Sequence, residues 1–148
     1  MNEKNENRDY LLLKSISNNN IEMFKLLMKY ANQHQIISEL NEKNKCGNYT
    51  FLEAISKNNI KIVKWLIEYA NQLQIILELN EKNENGYYPL LEAISKNNIG
   101  IVKLLIEYAL QHQITLEYEK WSIGDKPKIK KLLQYYKKEK EKKKKVNK

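Results

Sequence analysis

The sequence predicts an all-helical protein built as an array of repeated units. Three observations point to this class: a pattern that recurs every 39 residues, apolar residues at helical spacing, and a shortage of glycine and proline. The 148 residues include only four glycines and two prolines, too few for an all-β protein connected by tight turns. Leu, Ile, Lys and Glu dominate the composition, and these residues favour helices.

The repeat is visible in two motifs that return in the same register. The tetrapeptide Asn-Glu-Lys-Asn occurs at residues 2–5, 41–44 and 80–83. The segment Leu-Glu-Ala-Ile-Ser-Lys-Asn-Asn-Ile occupies residues 52–60 and 91–99, and a looser copy occupies residues 13–21. Three copies in register predict one repeated supersecondary unit.

Each unit carries the pattern of two helices. In the middle unit the first predicted helix, helix A, runs from about Thr50 to Lys57, and two asparagines then interrupt it. Asn tolerates the left-handed conformation that ends a helix and is also a favoured N-cap. The second helix, helix B, begins near Ile60 and has an apolar stripe at spacings of three and four residues. Because helix A is short, stacked neighbours must stabilise it.

A shortened fourth unit follows the three full ones. Residues 121–122 align with 55–56, and residues 130–135 align with 64–69, which pairs Tyr135 with Tyr69. An atypical last unit is typical of a stack, because its outer face meets water.

Residues 79–93 resemble the ankyrin repeat, whose pattern is V-N-x-x-D-x-x-G-x-T-P-L-H-x-A. Residues 101–105 resemble the Ile-Val-Lys-Leu-Leu run of its second helix, and residues 44–52 and 62–66 repeat both matches. The resemblance implies an all-α ankyrin-repeat solenoid with three full helix-turn-helix repeats and a shortened C-terminal capping repeat. This domain spans residues 1–136, in units of approximately 1–39, 40–78, 79–114 and 115–136, and a lysine-rich tail spans residues 137–148.

The chain departs from the family pattern in three ways. Its period is 39 residues, against about 33 in the family. The surplus lies in residues 71–78, which predicts a longer helix B or an extra helical turn with Ile75 and Ile76 packed down. The family's threonine is Tyr at positions 10, 49 and 88, and its histidine is Leu at positions 13, 52 and 91. The hydrogen bonds that those family residues make between repeats are therefore expected to be missing.

No constellation for catalysis or for cofactor binding is evident. The glycines are isolated, so no phosphate-binding loop is expected. His34 and His112 are interpreted as surface residues at the end of helix B, and Cys46 as a thiol without a role. Glu53 and Glu92 recur in helix A and are interpreted as part of a solvated face. The sequence therefore predicts a protein that is not an enzyme and has no cofactor or metal.

The recurring aromatic residues are assigned to packing. Trp65 and Trp121 occupy positions expected in the core. Tyr30, Tyr69 and Tyr108 recur at the end of helix B, where they are expected to pack between repeats with their hydroxyl groups near the surface.

The family resemblance implies a scaffold or adaptor that binds another protein on a concave face. This face is formed by helix A and by the loops that precede it, which are called finger loops. The variable positions of the family pattern map onto candidate partner-binding residues in this chain: Asp9, Lys45, Asn48, Lys57, Glu84, Asn85, Tyr87 and Lys96. Tyr87 is the strongest candidate, because an aromatic side chain flanked by polar residues is a typical interface anchor. The alternative is that Tyr87 packs on Tyr88 or on an adjacent finger.

The net charge of +8 comes from the C-terminal end. Residues 126–148 contain twelve lysines and two glutamates, which leaves the rest of the chain slightly acidic. The lysines are expected to continue the last helix from Ile129, to fray after it, and to serve as a solvated cap. The alternatives are a nuclear-import or anionic-surface patch and, through the tail only, a nucleic-acid contact.

The sequence predicts a monomeric intracellular protein in the cytoplasm, with the nucleus as an alternative. The first ten residues lack the apolar stretch of a secretory signal, and no apolar run is long enough to span a bilayer. A single cysteine rules out an intramolecular disulfide.

Overall fold

A computed structural model of the protein describes residues 11–34, 43 and 47–146. Within these residues all regular secondary structure is helical, which confirms the all-α class. Helix α1 covers residues 11–17 of the described part. The other helices are α2 (Ile21–Gln33), α3 (Thr50–Ser56), α4 (Ile60–Leu73), α5 (Pro89–Ser95), α6 (Ile99–Gln111), α7 (Lys120–Ile123) and α8 (Pro127–Val146).

Asparagine pairs separate the short helices from the long ones, as the sequence predicts. The first residue of each pair has a positive φ: Asn19 (54°), Asn58 (57°) and Asn97 (51°). The second residue accepts a hydrogen bond from a backbone N–H of the first turn of α2, α4 or α6: Asn20, Asn59 and Asn98. Each pair thus ends one helix and caps the next.

Helix pairs stack on one another in chain order. Short helices contact short helices, α3 with α5 and α5 with α7. Long helices contact long helices, α4 with α6 and α6 with α8. The buried apolar residues form one core that runs through all the units. Neighbouring units therefore stabilise each other, which the short helices require.

Where another unit follows a long helix, that unit buries one side of the helix. In α2 this side is formed by Phe24, Met28 and Ala31, all of them buried. The matching residues of α6 are also buried: Val102, Ile106 and Ala109. In α8 the same register holds exposed polar residues: Lys130, Gln134 and Lys137. Helix α8 therefore turns a polar face outwards at this end of the stack.

The opposite side of each long helix is buried by the unit that precedes it. In α8 this side is formed by Ile129, Leu133 and Tyr136, and it is buried. The matching positions of α2 include Met23 and Tyr30, which are 47% and 52% exposed. Helices α4 and α6 bury both sides. The exposed side of the long helices thus changes from one face in α2 to the opposite face in α8.

The alignment of the fourth unit is wrong by one residue. Tyr136, rather than Tyr135, takes the place of Tyr108, because its hydroxyl group accepts from Leu116 N–H at 2.9 Å as Tyr108 accepts from Leu77 N–H. Tyr135 is 52% exposed. The shift also moves Trp121 out of the core position predicted for it, and its side chain is 73% exposed.

The surplus segment does not form an extra helical turn. Helix α4 does extend to Leu73, but Gln74 then adopts φ 57° and residues 75–78 have no regular structure. Leu77 is buried, whereas Ile76, which was expected to pack down, is 52% exposed. The positive φ of Gln74 reverses the chain and so changes which side chains face the core.

Tyrosine hydroxyl groups link successive units and replace hydrogen bonds that the sequence predicts to be missing. Tyr49 has the position of the family's threonine, and its hydroxyl donates to Glu81 O in the next loop at 3.1 Å. On the other side of the stack, Tyr108 packs between units as predicted, but its hydroxyl group is buried rather than near the surface and accepts from the buried Leu77 N–H at 2.9 Å. The tyrosines thus combine apolar packing with a backbone hydrogen bond.

Replacing Tyr108 with Phe should lower the free energy of unfolding by about 1–3 kcal/mol, because it leaves the buried Leu77 N–H without an acceptor. Tyr30→Phe is the matched control, since Tyr30 has the same register but lies 52% exposed at the start of the stack. Urea unfolding of both variants measures the difference. Equal effects would contradict the assigned role of the Tyr108 hydroxyl.

The fold should become less stable at alkaline pH. Burial raises the pKa values of Tyr49, Tyr88, Tyr108 and Tyr136 above the ordinary value. In the unfolded chain the tyrosine hydroxyl groups ionise near pH 10. The stability that the buried, neutral tyrosines contribute is therefore complete below about pH 10, and it declines as pH rises towards their folded-state pKa values. Thermal unfolding across this range should show the decline, and Tyr108→Phe should reduce its slope by up to about 1.4 kcal/mol per pH unit.

Candidate protein-binding surface

The loop before α5 is held in one shape by the Asn83 side chain. Asn83 Oδ1 accepts from the N–H groups of Asn85 and Tyr87, each at 2.9 Å. The backbone closes the same turn, since Asn83 N–H donates to Tyr87 O at 2.8 Å and Gly86 N–H donates to Asn83 O at 3.0 Å. Gly86 has φ 82°, a conformation suited to glycine. The side chains at the tip of this loop are therefore carried by a rigid backbone.

The loop before α3 lies directly against the loop before α5. Asn83 Nδ2 donates to Asn48 Oδ1 at 2.9 Å, and Lys43 forms an ion pair with Glu81 at 2.7 Å. A Cβ atom added to Gly47 would lie 3.0 Å from the backbone nitrogen of Glu84. The described residues of the loop before α3, residues 43 and 47–49, thus contact the loop before α5 across neighbouring units.

The recurring acids of helix A are less solvated than expected. Glu53 is half-buried and accepts from Ser17 Oγ at 2.8 Å and from Asn48 Nδ2 at 3.1 Å. Glu92 is buried, with only 9% of its surface exposed, and lies 3.9 Å from Lys96. The interpretation of Glu92 as part of a solvated face is therefore wrong.

Three of the predicted partner-binding residues lie together at the tip of the loop before α5. Glu84, Asn85 and Tyr87 are exposed there, and the Tyr87 side chain is 40% exposed. Asn48 lies at the base of the surface, where it is half-buried and hydrogen-bonded to neighbouring side chains. Asp9, Lys45 and the neighbouring Cys46 lie outside the described residues.

The two predicted lysines that the structure describes, Lys57 and Lys96, form a second, separate cluster. Lys57 and Lys96 are the C-cap residues of α3 and α5, and both are exposed. Each short helix has seven residues, so its ends lie about 10 Å apart. The surface therefore has an aromatic tip at the loop end and positive charge at the other end of helix A.

Sequence reasoning missed the exposure of Trp121 and correctly placed the histidines. His34 and His112 are the C-cap residues of α2 and α6. The His112 ring lies against the Tyr108 ring in a tilted arrangement with 4.2 Å between their centroids, and its Nε2 lies 3.1 Å from Asn71 Oδ1 in the preceding unit. Among the residues that the structure describes, no group of three or more His, Cys, Asp or Glu side chains could hold a metal ion.

In the described part of the chain, no helix combines the length and the apolar character needed to cross a bilayer. Comparison of the chain with protein-family models, with curated proteins and with solved structures found no match. The function is therefore inferred from the residues of the chain and from their geometry.

Proposed function

We propose that the chain is an ankyrin-type solenoid that binds another protein through its loops and short helices and catalyses no reaction. Its stacked helix pairs, polar C-terminal face and glycine-containing loops support the fold assignment. In this role the protein is a monomeric scaffold or adaptor in the cytoplasm, with the nucleus as the alternative.

The observation that carries this proposal is the exposure of Tyr87 on a backbone that is already ordered. Tyrosine is enriched among the residues that dominate interface energetics. A rigid loop loses little conformational freedom on binding, so more of the contact energy appears as affinity. Glu84 and Asn85 provide polar groups beside the aromatic ring.

The second cluster indicates the charge of the partner. Lys57 and Lys96 lie about one helix A length from the loop end, and both carry positive charge at neutral pH. A partner that presents an apolar pocket for Tyr87 and acidic side chains towards the lysines would match both clusters. Such rim charges chiefly raise the association rate.

Affinity capture from a lysate of the cells that make the protein tests the role of Tyr87. We expect Tyr87→Ala to weaken binding of the captured partner by roughly 30-fold, equivalent to about 2 kcal/mol. Tyr135→Ala is the matched control, because Tyr135 is also exposed but lies on α8. Equal recovery with the two variants would contradict the assigned surface.

A second candidate function is binding to an anionic surface or a nucleic acid through α8. Residues 137–146 contain seven lysines and two glutamates and are helical up to Val146, without the fraying that the sequence predicts. A variant that ends at Tyr136 separates the two candidates. Binding that survives this truncation supports the loop surface, whereas binding that disappears with it and weakens at high salt supports the α8 lysines.

A further inference from the structure

A cleft lies between the end of α6, the segment that follows it, and the lysine-rich part of α8. Its volume is about 360 Å³, within the size range of small-ligand sites. Its floor is largely apolar and is formed by Ala109, Leu110, Ile114 and Tyr136. This cleft is separate from the Tyr87 surface, which lies at the start of α5.

Positive charge dominates the wall of the cleft. Lys140, Lys143 and Lys144 line it, and among the residues that the structure describes no carboxylate does. Lys140 Nζ donates to Thr115 Oγ1 and Lys143 Nζ donates to Leu110 O, each at 2.6 Å. An ammonium group has three donors, so both lysines keep donors for a further acceptor.

Stabilisation of the fold explains only part of this arrangement. Lys143 satisfies a carbonyl group near the C-terminus of α6, where positive charge is favourable. Lys144 makes no hydrogen bond or ion pair with any of the residues the structure describes. Three cations beside a low-dielectric floor raise the local potential for an anion.

We propose that this cleft binds an organic anion, specifically a carboxylate on an apolar chain. The carboxylate accepts from the free donors of the three lysines, and the chain lies on the apolar floor. Both parts of the cleft are needed, so neither a bare anion nor a neutral apolar molecule satisfies it.

Titration calorimetry of the full chain with decanoate, below its micelle concentration, tests the proposal. Decanoate should bind at one site, and acetate should show no measurable binding. Shorter carboxylates should bind more weakly, by roughly fourfold for each buried methylene that is lost. Equal affinity for acetate and decanoate, or no binding of decanoate, would overturn the proposal.

Two triple variants distinguish the cleft from the general charge of α8. Lys140→Gln, Lys143→Gln and Lys144→Gln together should weaken decanoate binding at least tenfold. Lys131→Gln, Lys138→Gln and Lys145→Gln remove the same charge from exposed positions outside the cleft and should leave the affinity within threefold of the wild type. Equal losses in both variants would mean non-specific attraction and would overturn the proposal.

A single charge reversal provides a test that preserves the fold. Lys144→Glu removes no hydrogen bond or ion pair with a described residue, yet it places a carboxylate beside the proposed anion. Binding of decanoate should fall by more than in the single Lys144→Gln variant. Unchanged binding in a variant with wild-type helical content would contradict the proposed position of the carboxylate.

Discussion

Replacing Val102 with Lys should destabilise the protein by about 3–5 kcal/mol. Val102 is fully buried in α6, so a lysine there would place an unpaired ammonium group in the core. Since a domain is stable by only about 5–15 kcal/mol, much of the protein would be unfolded at modest urea concentrations. Chemical denaturation followed by circular dichroism measures the change.

The matched change is Lys130→Val, at the same register in α8. Lys130 is exposed on the outer face, so this variant should change the free energy of unfolding by less than about 1 kcal/mol, through helix propensity alone. Similar losses of stability in Val102→Lys and Lys130→Val would contradict the assignment of α8 as the polar end of the stack.

Replacing Gly47 with Ala should be the second most damaging change, with a loss of about 2–5 kcal/mol. Gly47 has φ 75°, which costs an L-residue about 1–2 kcal/mol. The added Cβ would also meet the backbone of the next loop at 3.0–3.3 Å, and such crowding costs a further 1–3 kcal/mol or so.

Gly86→Ala separates backbone strain from loop packing. Gly86 has a similar φ of 82°, but its added Cβ would meet nothing within 4 Å. Gly86→Ala should therefore lower the free energy of unfolding by only about 1–2 kcal/mol. If thermal unfolding showed the same loss for both glycines, the close contact between the two loops would be refuted.

The helices and their boundaries were predictable because their causes are local. An apolar stripe at helical spacing and an asparagine pair act within a few residues, so their effects can be read from the sequence. The surplus segment was less predictable. Ile75, Ile76 and Leu77 are similar in hydrophobicity, and the positive φ of Gln74 decides which of them is buried.

The register of the last unit depends on a contact between distant residues. Tyr135 and Tyr136 are adjacent and identical, so similarity alone allows either alignment. The hydrogen bond from Leu116 N–H selects Tyr136. One sequence signal would also have selected Tyr136: the apolar residues at 129, 133 and 136 follow the helical spacing. The structure buries all three.

The candidate surface was predictable at its tip but not at its base. The exposure of Tyr87 follows from its place in a polar loop next to a glycine. The half-burial of Asn48 and the burial of Glu92 depend on how the neighbouring unit covers them. The sequence of one unit alone does not show which of its residues the neighbouring unit buries.

Photo-cross-linking from position 87 tests the proposed binding surface most directly. A photoreactive phenylalanine analogue is placed at Tyr87 in one sample and at Tyr135 in another, and each is irradiated in lysate of the cells that make the protein. We predict a discrete covalent adduct with a second protein from position 87 and none from position 135. The absence of an adduct from position 87, or equal adducts from both positions, would contradict the proposal that the loops and short helices bind the partner.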